Sequence, residues 1–233
     1  MSEQSPRRRP RLAGVIVIGL IALISLFAIA SLSLDKGDED PIRIEGAGAV
    51  QRLLGGIPQL GNRLGEDDAE VTVEVFNDLQ CKDCSSYQLD VIEPLIADQV
   101  RGGEIKLIYR HYSMSERERG LASFGAVAAG KQAHEWQFIE LFFRNQSEAE
   151  RRGVSDEFLD VVAGGILEFN AEQWQRDRDD SDITETLDDD NLLAAERKLP
   201  AEPAVIVDGP GGTRQLIESP SLAEIEQAIL EVR

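Results

Sequence analysis

The sequence predicts an α/β domain in which a block of helices interrupts the order of strands and helices. Two observations lead to this prediction. Short runs rich in β-branched residues stand next to amphipathic runs of helical period, both near residue 75 and near the C-terminus. Between them, residues 117–168 place apolar residues at helical spacing. We therefore expect a βαβ unit and a ββα unit that are separated by inserted helices.

The βαβ unit is predicted over residues 71–109. The β-branched run 71–76 ends at an Asn-Asp pair and indicates a buried strand. Ser85 begins an apolar pattern of helical spacing, which Pro94 bends and a Gly-Gly pair ends. Residues 105–109 form the second predicted strand of this unit.

The helical block and the closing ββα unit follow. About three helices are expected over residues 117–168, and a further helix over 187–199. A Gly-Pro turn then separates two short strand patterns, and an amphipathic pattern ends the chain. These closing elements are predicted over residues 204–207, 214–217 and 222–232.

Composition excludes several functions. The 233-residue chain has a formal net charge of −19, and its first 34 residues hold four arginines against one glutamate, so the remainder is even more acidic. Such a surface repels nucleic acid, and no nucleic-acid partner is expected. Two cysteines and two histidines cannot supply a four-Cys zinc site, and no metal site is predicted.

An N-terminal segment is predicted to anchor the chain in a membrane. Residues 12–34 are uncharged and apolar, and their 23 residues would extend about 34 Å as a helix, enough to span a hydrocarbon core of about 30 Å. Arginines precede this run and acidic residues follow it, which places the N-terminus in the cytoplasm and the rest outside. A cleavable signal peptide is the alternative.

These patterns divide the chain into four parts. Residues 1–11 form a basic cytoplasmic tail, 12–34 the transmembrane anchor and 35–69 a Gly-rich, acidic tether with at most one short helix, near residues 49–54. Residues 70–233 form the folded domain, with the helical insertion at about 115–199. The predicted location is the cell membrane, crossed once, with the domain in an oxidising, extracytoplasmic compartment.

Cys81 and Cys84 are the candidate catalytic residues. Cys81 is expected at a helix N-terminus, where unpaired N–H groups and the helix dipole stabilise a thiolate. Cys84 lies one turn further and can resolve a mixed disulfide formed at Cys81. A structural disulfide and a metal site are alternatives. A disulfide that closes so short a loop stabilises little, and no zinc-ligand spacing accompanies the pair.

Taken in order, these motifs resemble the DsbA-like branch of the thioredoxin superfamily over about residues 57–232. The resemblance implies a thioredoxin fold with a helical insertion and no cofactor. It implies that the substrates are exported proteins with free thiols or disulfides. It further implies that a quinone-linked membrane protein re-oxidises the dithiol. It also implies that Glu202 and Pro203 form a substrate-binding loop with a cis peptide bond. The matching segments are VEVFNDLQCKDC at 73–84, VIEPL at 91–95, GEIKL at 103–107, WQF at 136–138, LFFRNQ at 141–146, and Pro203 with Gly209.

Four positions depart from the family pattern. Lys82 should favour the Cys81 thiolate and Asp83 should oppose negative charge, so these tuning residues partly cancel and predict an intermediate reduction potential. Val75 occupies the position where relatives usually place a buried carboxylate, and Glu74 should face the opposite side of the strand. Glu202 stands directly before the cis-proline, where relatives usually have Val or Thr. Its carboxylate is expected either near Cys81 or pointing into solvent.

The sequence thus predicts a membrane-tethered protein disulfide oxidoreductase that introduces disulfides into exported proteins. One alternative is a reductase or isomerase of the same fold, which a measured reduction potential separates from an oxidase. A second alternative is a non-catalytic docking module whose CxxC is a static disulfide.

Overall fold

A six-stranded mixed sheet forms the centre of the fold, with strand order β1-β2-β4-β3-β5-β6. The computed structural model describes residues 40–113, 120–217 and 219–233. β3 and β4 pair in parallel, and every other neighbouring pair is antiparallel. The strands are β1 Gln59–Leu60, β2 Arg63–Leu64, β3 Val71–Asn77, β4 Ile105–His111, β5 Ala204–Gly209 and β6 Gly212–Leu216.

The helices fall into three groups. α1, Ala47–Leu54, precedes the sheet, and α9, Leu222–Val232, ends the chain. α2 runs over residues 84–100 as consecutive α- and π-helical turns, Cys84–Tyr87, Gln88–Ile92, Glu93–Leu95 and Ile96–Val100. The insertion between β4 and β5 contains α3 Leu121–Gly130, α4 Glu135–Arg144, α5 Gln146–Arg152, α6 Asp156–Gly164, α7 Ala171–Asp177 and α8 Ser181–Glu196.

The two faces of the sheet have separate apolar clusters. Val73 and Val75 of β3 face the main core, to which α2, α9 and most inserted helices contribute. Phe76 and Ile206 face the other side, where the end of α8 and Leu199 cover them. This alternation along β3 follows from the period of two in a strand, with Val71, Val73 and Val75 buried and Thr72 and Glu74 between them half-buried.

The predicted βαβ and ββα units are both confirmed, as is the helical block between them. The strand predicted over 105–109 extends two residues further, to His111. The acidic residues 181–196 form one long helix, α8, which buries Ile183 and Leu187. The anchor predicted over residues 12–34 lies outside the described residues, and no helix of the described part is long and apolar enough to cross a membrane.

The structure differs from the tether predicted over residues 35–69. The described residues from Ile42 to Arg233 form one compact unit. Within residues 42–69, α1 buries Val50 and Leu54, and β2 pairs with β4. Gly65 has a φ of +111°, and a Cβ there would lie 3.0 Å from the Ile105 carbonyl oxygen. Such a glycine permits a tight turn, which composition alone does not distinguish from a linker.

Close approach of three helices forms the core of the insertion. The Trp174 indole Nε1 donates a 2.8 Å hydrogen bond to the Gly125 carbonyl oxygen, and its ring lies 5.8 Å from that of Phe138. Both aromatic side chains are fully buried. A Cβ at Gly125 would lie 2.8 Å from Phe138 Cζ, so α3 can approach α4 and α7 this closely only with glycine at that position.

We therefore expect Gly125→Ala to lower the free energy of unfolding by about 1–3 kcal/mol, because the buried aromatic rings cannot move aside. Gly164→Ala is the control, since a Cβ there meets nothing within 4 Å. The control should be neutral or stabilising by up to about 1 kcal/mol, from helix propensity. Urea unfolding of both variants measures the difference, and equal stabilities would contradict the packing constraint.

Candidate active site

The CxxC turn leaves the carboxyl end of β3. The Asp78 carboxylate accepts a 2.8 Å hydrogen bond from the Gln80 N–H, and the Asp78 carbonyl accepts one of 3.2 Å from the Cys81 N–H. The Cys81 carbonyl in turn accepts the Cys84 N–H at 3.3 Å. Cys81 thus lies one turn before α2, and Cys84 is the first residue of that helix.

Cys81 and Cys84 form a disulfide, with their Cα atoms 5.3 Å apart. Cys81 is half-buried, whereas Cys84 is 0 % exposed. A thiolate from outside can therefore approach Cys81 and not Cys84. The start of α2 lies on the side of Cys81, where the helix dipole favours negative charge on that sulfur. Lys82 and Asp83, which stand between the two cysteines, are exposed. Their role in tuning the reduction potential of the cysteine pair stays a prediction.

Gln146 holds this turn from the insertion. Its amide Nε2 donates to the Cys81 carbonyl oxygen at 2.7 Å and to the Leu79 carbonyl oxygen at 3.1 Å. The side chain is 5 % exposed; its bond to Leu79 is buried and its bond to Cys81 is partly buried. Sequence reasoning included Gln146 only in a matching segment of the insertion. The signal that could have singled it out is a polar residue that directly follows a strongly apolar helix.

The Glu202–Pro203 peptide bond is cis, as the sequence predicted. In the register of β3 and β5, Phe76 pairs with Ala204, so Pro203 lies beside the end of β3 from which the CxxC turn departs. Pro203 is buried and its carbonyl accepts the Ser219 N–H at 3.1 Å. The sheet thus brings the predicted substrate-binding loop to the same end of β3 as the cysteine pair.

Glu202 itself is half-buried, and its carboxylate interacts electrostatically with the phenol of Tyr112. Burial raises the pKa of the Tyr112 phenol, and the nearby Glu202 carboxylate raises it further. The Tyr112 hydroxyl donates to the Leu199 carbonyl at 3.1 Å. The structure therefore brings Glu202 close to this phenol, and its predicted role toward substrate stays a prediction.

The strand beneath the disulfide carries no carboxylate on the core side. Val75 is fully buried there, and Glu74 faces the opposite side, as predicted. Glu74 pairs with Arg110 Nε at 2.6 Å, and Arg110 Nη1 also contacts Asp190 at 3.1 Å. Glu74 therefore cannot substitute for the carboxylate that the family usually places at Val75.

A buried carboxyl lies behind α2. Gln88, one helical turn after Cys84, is fully buried and donates from Nε2 to Glu140 Oε1 at 2.8 Å. Burial raises the pKa of Glu140 well above its ordinary value, and the neighbouring Glu93 raises it further. Glu93 itself pairs with Arg144. This cluster joins the active-site helix to α4 of the insertion.

Comparisons with known proteins agree with this geometry. A family described as thioredoxin matches residues 60–230. The chain is similar to a probable disulfide bond formation protein D of Bacillus cereus, 26% identical over 201 residues that cover 85% of this chain and 84% of that protein. A disulfide bond formation protein D of Bacillus subtilis is 24% identical over 146 residues, which cover 62% of this chain and 66% of that protein.

Solved structures show the same fold. Oxidised BdbD of Bacillus subtilis has a TM-score of 0.64 at 22% identity, covering 75% of this chain and 96% of that one. The α-DsbA1 of Wolbachia pipientis has a TM-score of 0.60 at 17% identity, covering 77% and 92%. At these identities the similarity establishes the fold.

Substitution of Gln146 tests its hold on the CxxC turn. In Gln146→Glu, both amide N–H donors to the Cys81 and Leu79 carbonyls are lost, and a negative charge is added next to the Cys81 carbonyl. We expect the pKa of the Cys81 thiol to rise in the reduced protein, because a nearby negative charge disfavours the thiolate. Gln227→Glu, on the exposed side of α9, adds the same charge where solvent screens it, and should leave that pKa unchanged. Thiolate absorbance against pH measures both, and identical titrations would contradict this role.

Glu140 should make the stability of the fold depend on pH. Because burial raises its pKa, the folded protein keeps a proton that the unfolded chain releases near pH 4.5. Between that pH and the raised pKa, stability should fall as pH rises, by up to about 1.4 kcal/mol per pH unit. Glu140→Gln should make this slope shallower, leaving the part due to Glu135 and Asp190, whose pKa values burial also raises, and Glu185→Gln, on an exposed part of α8, should retain the full slope. Urea unfolding from pH 5 to 8 measures the slopes, and a wild-type slope in Glu140→Gln would contradict the assignment.

Proposed function

The chain belongs to the thioredoxin family and is a thiol-disulfide oxidoreductase, and from that premise we propose that it introduces disulfide bonds into exported proteins. One observation carries the proposal: Cys81 and Cys84 form a disulfide of which only the Cys81 side reaches the surface, beside a buried cis-proline loop. The relatives named disulfide bond formation protein D support the oxidative direction.

The reaction begins with the oxidised pair. A substrate thiolate attacks the Cys81 sulfur, a substrate-to-Cys81 disulfide forms, and the electron pair of the broken bond passes to the Cys84 sulfur, which takes up a proton. A second substrate thiol loses its proton and attacks the substrate sulfur of the mixed disulfide. The substrate leaves with a new disulfide, and the enzyme keeps both electrons as a Cys81–Cys84 dithiol.

The loop at Glu202 and Pro203 supports substrate binding next to this sulfur. It lies beside the end of β3, so an extended substrate segment that passes Cys81 also meets the loop backbone. The register of β3 and β5 supports this arrangement. Specificity for unfolded segments follows, because pairing with backbone does not require a particular side chain.

The proposed setting is the outer side of the cytoplasmic membrane. The apolar residues 12–34, with arginines before them and acidic residues after, support an anchor that leaves the domain outside the cytoplasm. A dithiol there needs an oxidant, and we assign this step to a membrane protein that passes the electrons to a quinone. Its chemistry is a second disulfide exchange at Cys81.

A Cys84→Ala variant tests the proposal in cells. Without the resolving thiol, mixed disulfides with exported proteins should accumulate at Cys81, in the membrane fraction, and disappear on reduction. The Cys81→Ala, Cys84→Ala double variant is the control and should trap nothing. Absence of adducts in Cys84→Ala would contradict catalysis and favour a static disulfide.

The reduction potential of the wild-type pair decides the direction. An oxidase should lie clearly above the value of about −270 mV that is typical of thioredoxin, and Lys82 with Asp83 predicts an intermediate position. A potential near or below that value would instead assign the protein to disulfide reduction.

A further inference from the structure

A small cavity lies where the two parallel strands end. Its volume is about 10 Å³, room for about one water molecule. Asp78, which follows β3, and His111, the last residue of β4, both line it, together with Ser123 and Asn191 of the insertion. Asp78 is also the residue whose carbonyl receives the Cys81 N–H. The cavity therefore adjoins the base of the CxxC turn.

His111 connects this cavity to a buried acid. Its ring Nε2 lies 3.0 Å from Glu135 Oε1, and both side chains are nearly inaccessible to solvent. No described residue provides a hydrogen-bond partner for the other ring nitrogen, Nδ1, which is also buried. Because Glu135 does not line the cavity and holds Nε2, Nδ1 is the ring atom available to a water molecule there.

Glu135, although nearly inaccessible to solvent itself, borders an open pocket on its other side. It lines a second, open pocket of about 400 Å³, together with Asn62, Lys131 and Asp182. Gly130 allows this position, because a Cβ there would lie 2.3 Å from Glu135 Oε2. From solvent inward, the order is thus open pocket, Glu135, His111, cavity and Asp78.

The cysteine pair needs such a connection. Cleavage of the disulfide leaves an electron pair on Cys84, which is 0 % exposed, and an unpaired charge is costly in a buried site. The side chain on the strand beneath it is Val75, which holds no proton. A proton must therefore reach Cys84 from another buried group.

We propose that Glu135, His111 and Asp78, with a water molecule in the cavity, relay a proton between solvent and Cys84. This inference rests on the proposed function. When a substrate thiolate breaks the disulfide, His111 Nδ1 gives a proton through the cavity water and Asp78 to the Cys84 sulfur. His111 recovers a proton at Nε2 from Glu135, and Glu135 recovers one from the open pocket. One proton thus moves from solvent to sulfur, and re-oxidation of the dithiol sends it back.

The surrounding charges support proton storage here. Burial raises the pKa of Glu135, which the His111 contact lowers in part, and burial also raises the pKa of Asp190. Asp190 accepts the His111 N–H at 2.9 Å and pairs with Arg110. Tyr109, fully buried beside the His111 ring, has its pKa raised well above the ordinary value by burial and then by four acids, namely Asp78, Glu135, Glu140 and Asp190.

The experiment compares the rates at which dithiothreitol reduces the oxidised full-length proteins from pH 6 to 8, by acid quench and alkylation of the released thiols. His111→Gln retains a nitrogen that can face Glu135 but cannot carry the proton, and we expect its rate to fall about a hundredfold. Once each rate is divided by the thiolate fraction of dithiothreitol at that pH, it should also lose the remaining pH dependence and the remaining solvent deuterium isotope effect of the wild type. His134→Gln is the matched control, since this half-buried histidine contacts Phe169 in the insertion, and it should behave as the wild type.

Glu135→Gln should reproduce the loss, and wild-type rates in both variants would overturn the relay. If His111→Gln does not fold, the wild-type protein is tested instead. Its two histidine rings are titrated by ¹⁵N NMR in the oxidised and in the reduced protein. The titration of His111 should change on reduction while that of His134 does not, and identical His111 titrations in both redox states would overturn the relay. A wild-type pair that dithiothreitol does not reduce would contradict the proposed function itself, so the two failures are distinguishable.

Discussion

The central position of β3 is the constraint on which the rest of the structure depends. β3 pairs in parallel with β4 on one side and antiparallel with β5 on the other. Parallel register brings Asn77 alongside His111, and antiparallel register brings the start of β5 to the same place. The cysteine turn, the cis-proline loop and the buried histidine therefore meet at one end of one strand, although Cys81 and Pro203 are 122 positions apart in sequence.

The inserted helices complete the site as well as cover it. The Gln146 amide donates hydrogen bonds to two carbonyls of the CxxC turn. The Glu140 carboxyl accepts a hydrogen bond from the Gln88 amide, and the Ser85 hydroxyl donates one of 3.1 Å to the Phe143 carbonyl. All three contacts join the turn or α2 to residues 140–146. Since buried polar groups are costly without partners, each contact fixes the helix and the insertion in one relative position.

Much of this could be predicted from the sequence, because β-branched runs, helical spacing and the CxxC are local signals. Apart from its short helix, the folded part of residues 42–69 could not, since its turn glycines give the same composition as a linker and its strand pairing with β4 spans more than 40 residues. Gln146 and Glu135 were missed as site residues for a related reason. Their partners lie far along the chain, and a helical period says which face is buried but not which polar group it meets.

The unequal burial of the two sulfurs also determines how the reduced pair meets small oxidants. Peroxide can reach Cys81 and convert it to a sulfenic acid, whereas Cys84 is shielded by the core. Cys84 then lies close enough to displace water from that sulfenic acid and restore the disulfide, since the Cα atoms of the pair are 5.3 Å apart. Oxidative stress therefore returns this protein to its working form instead of carrying Cys81 on to irreversible damage.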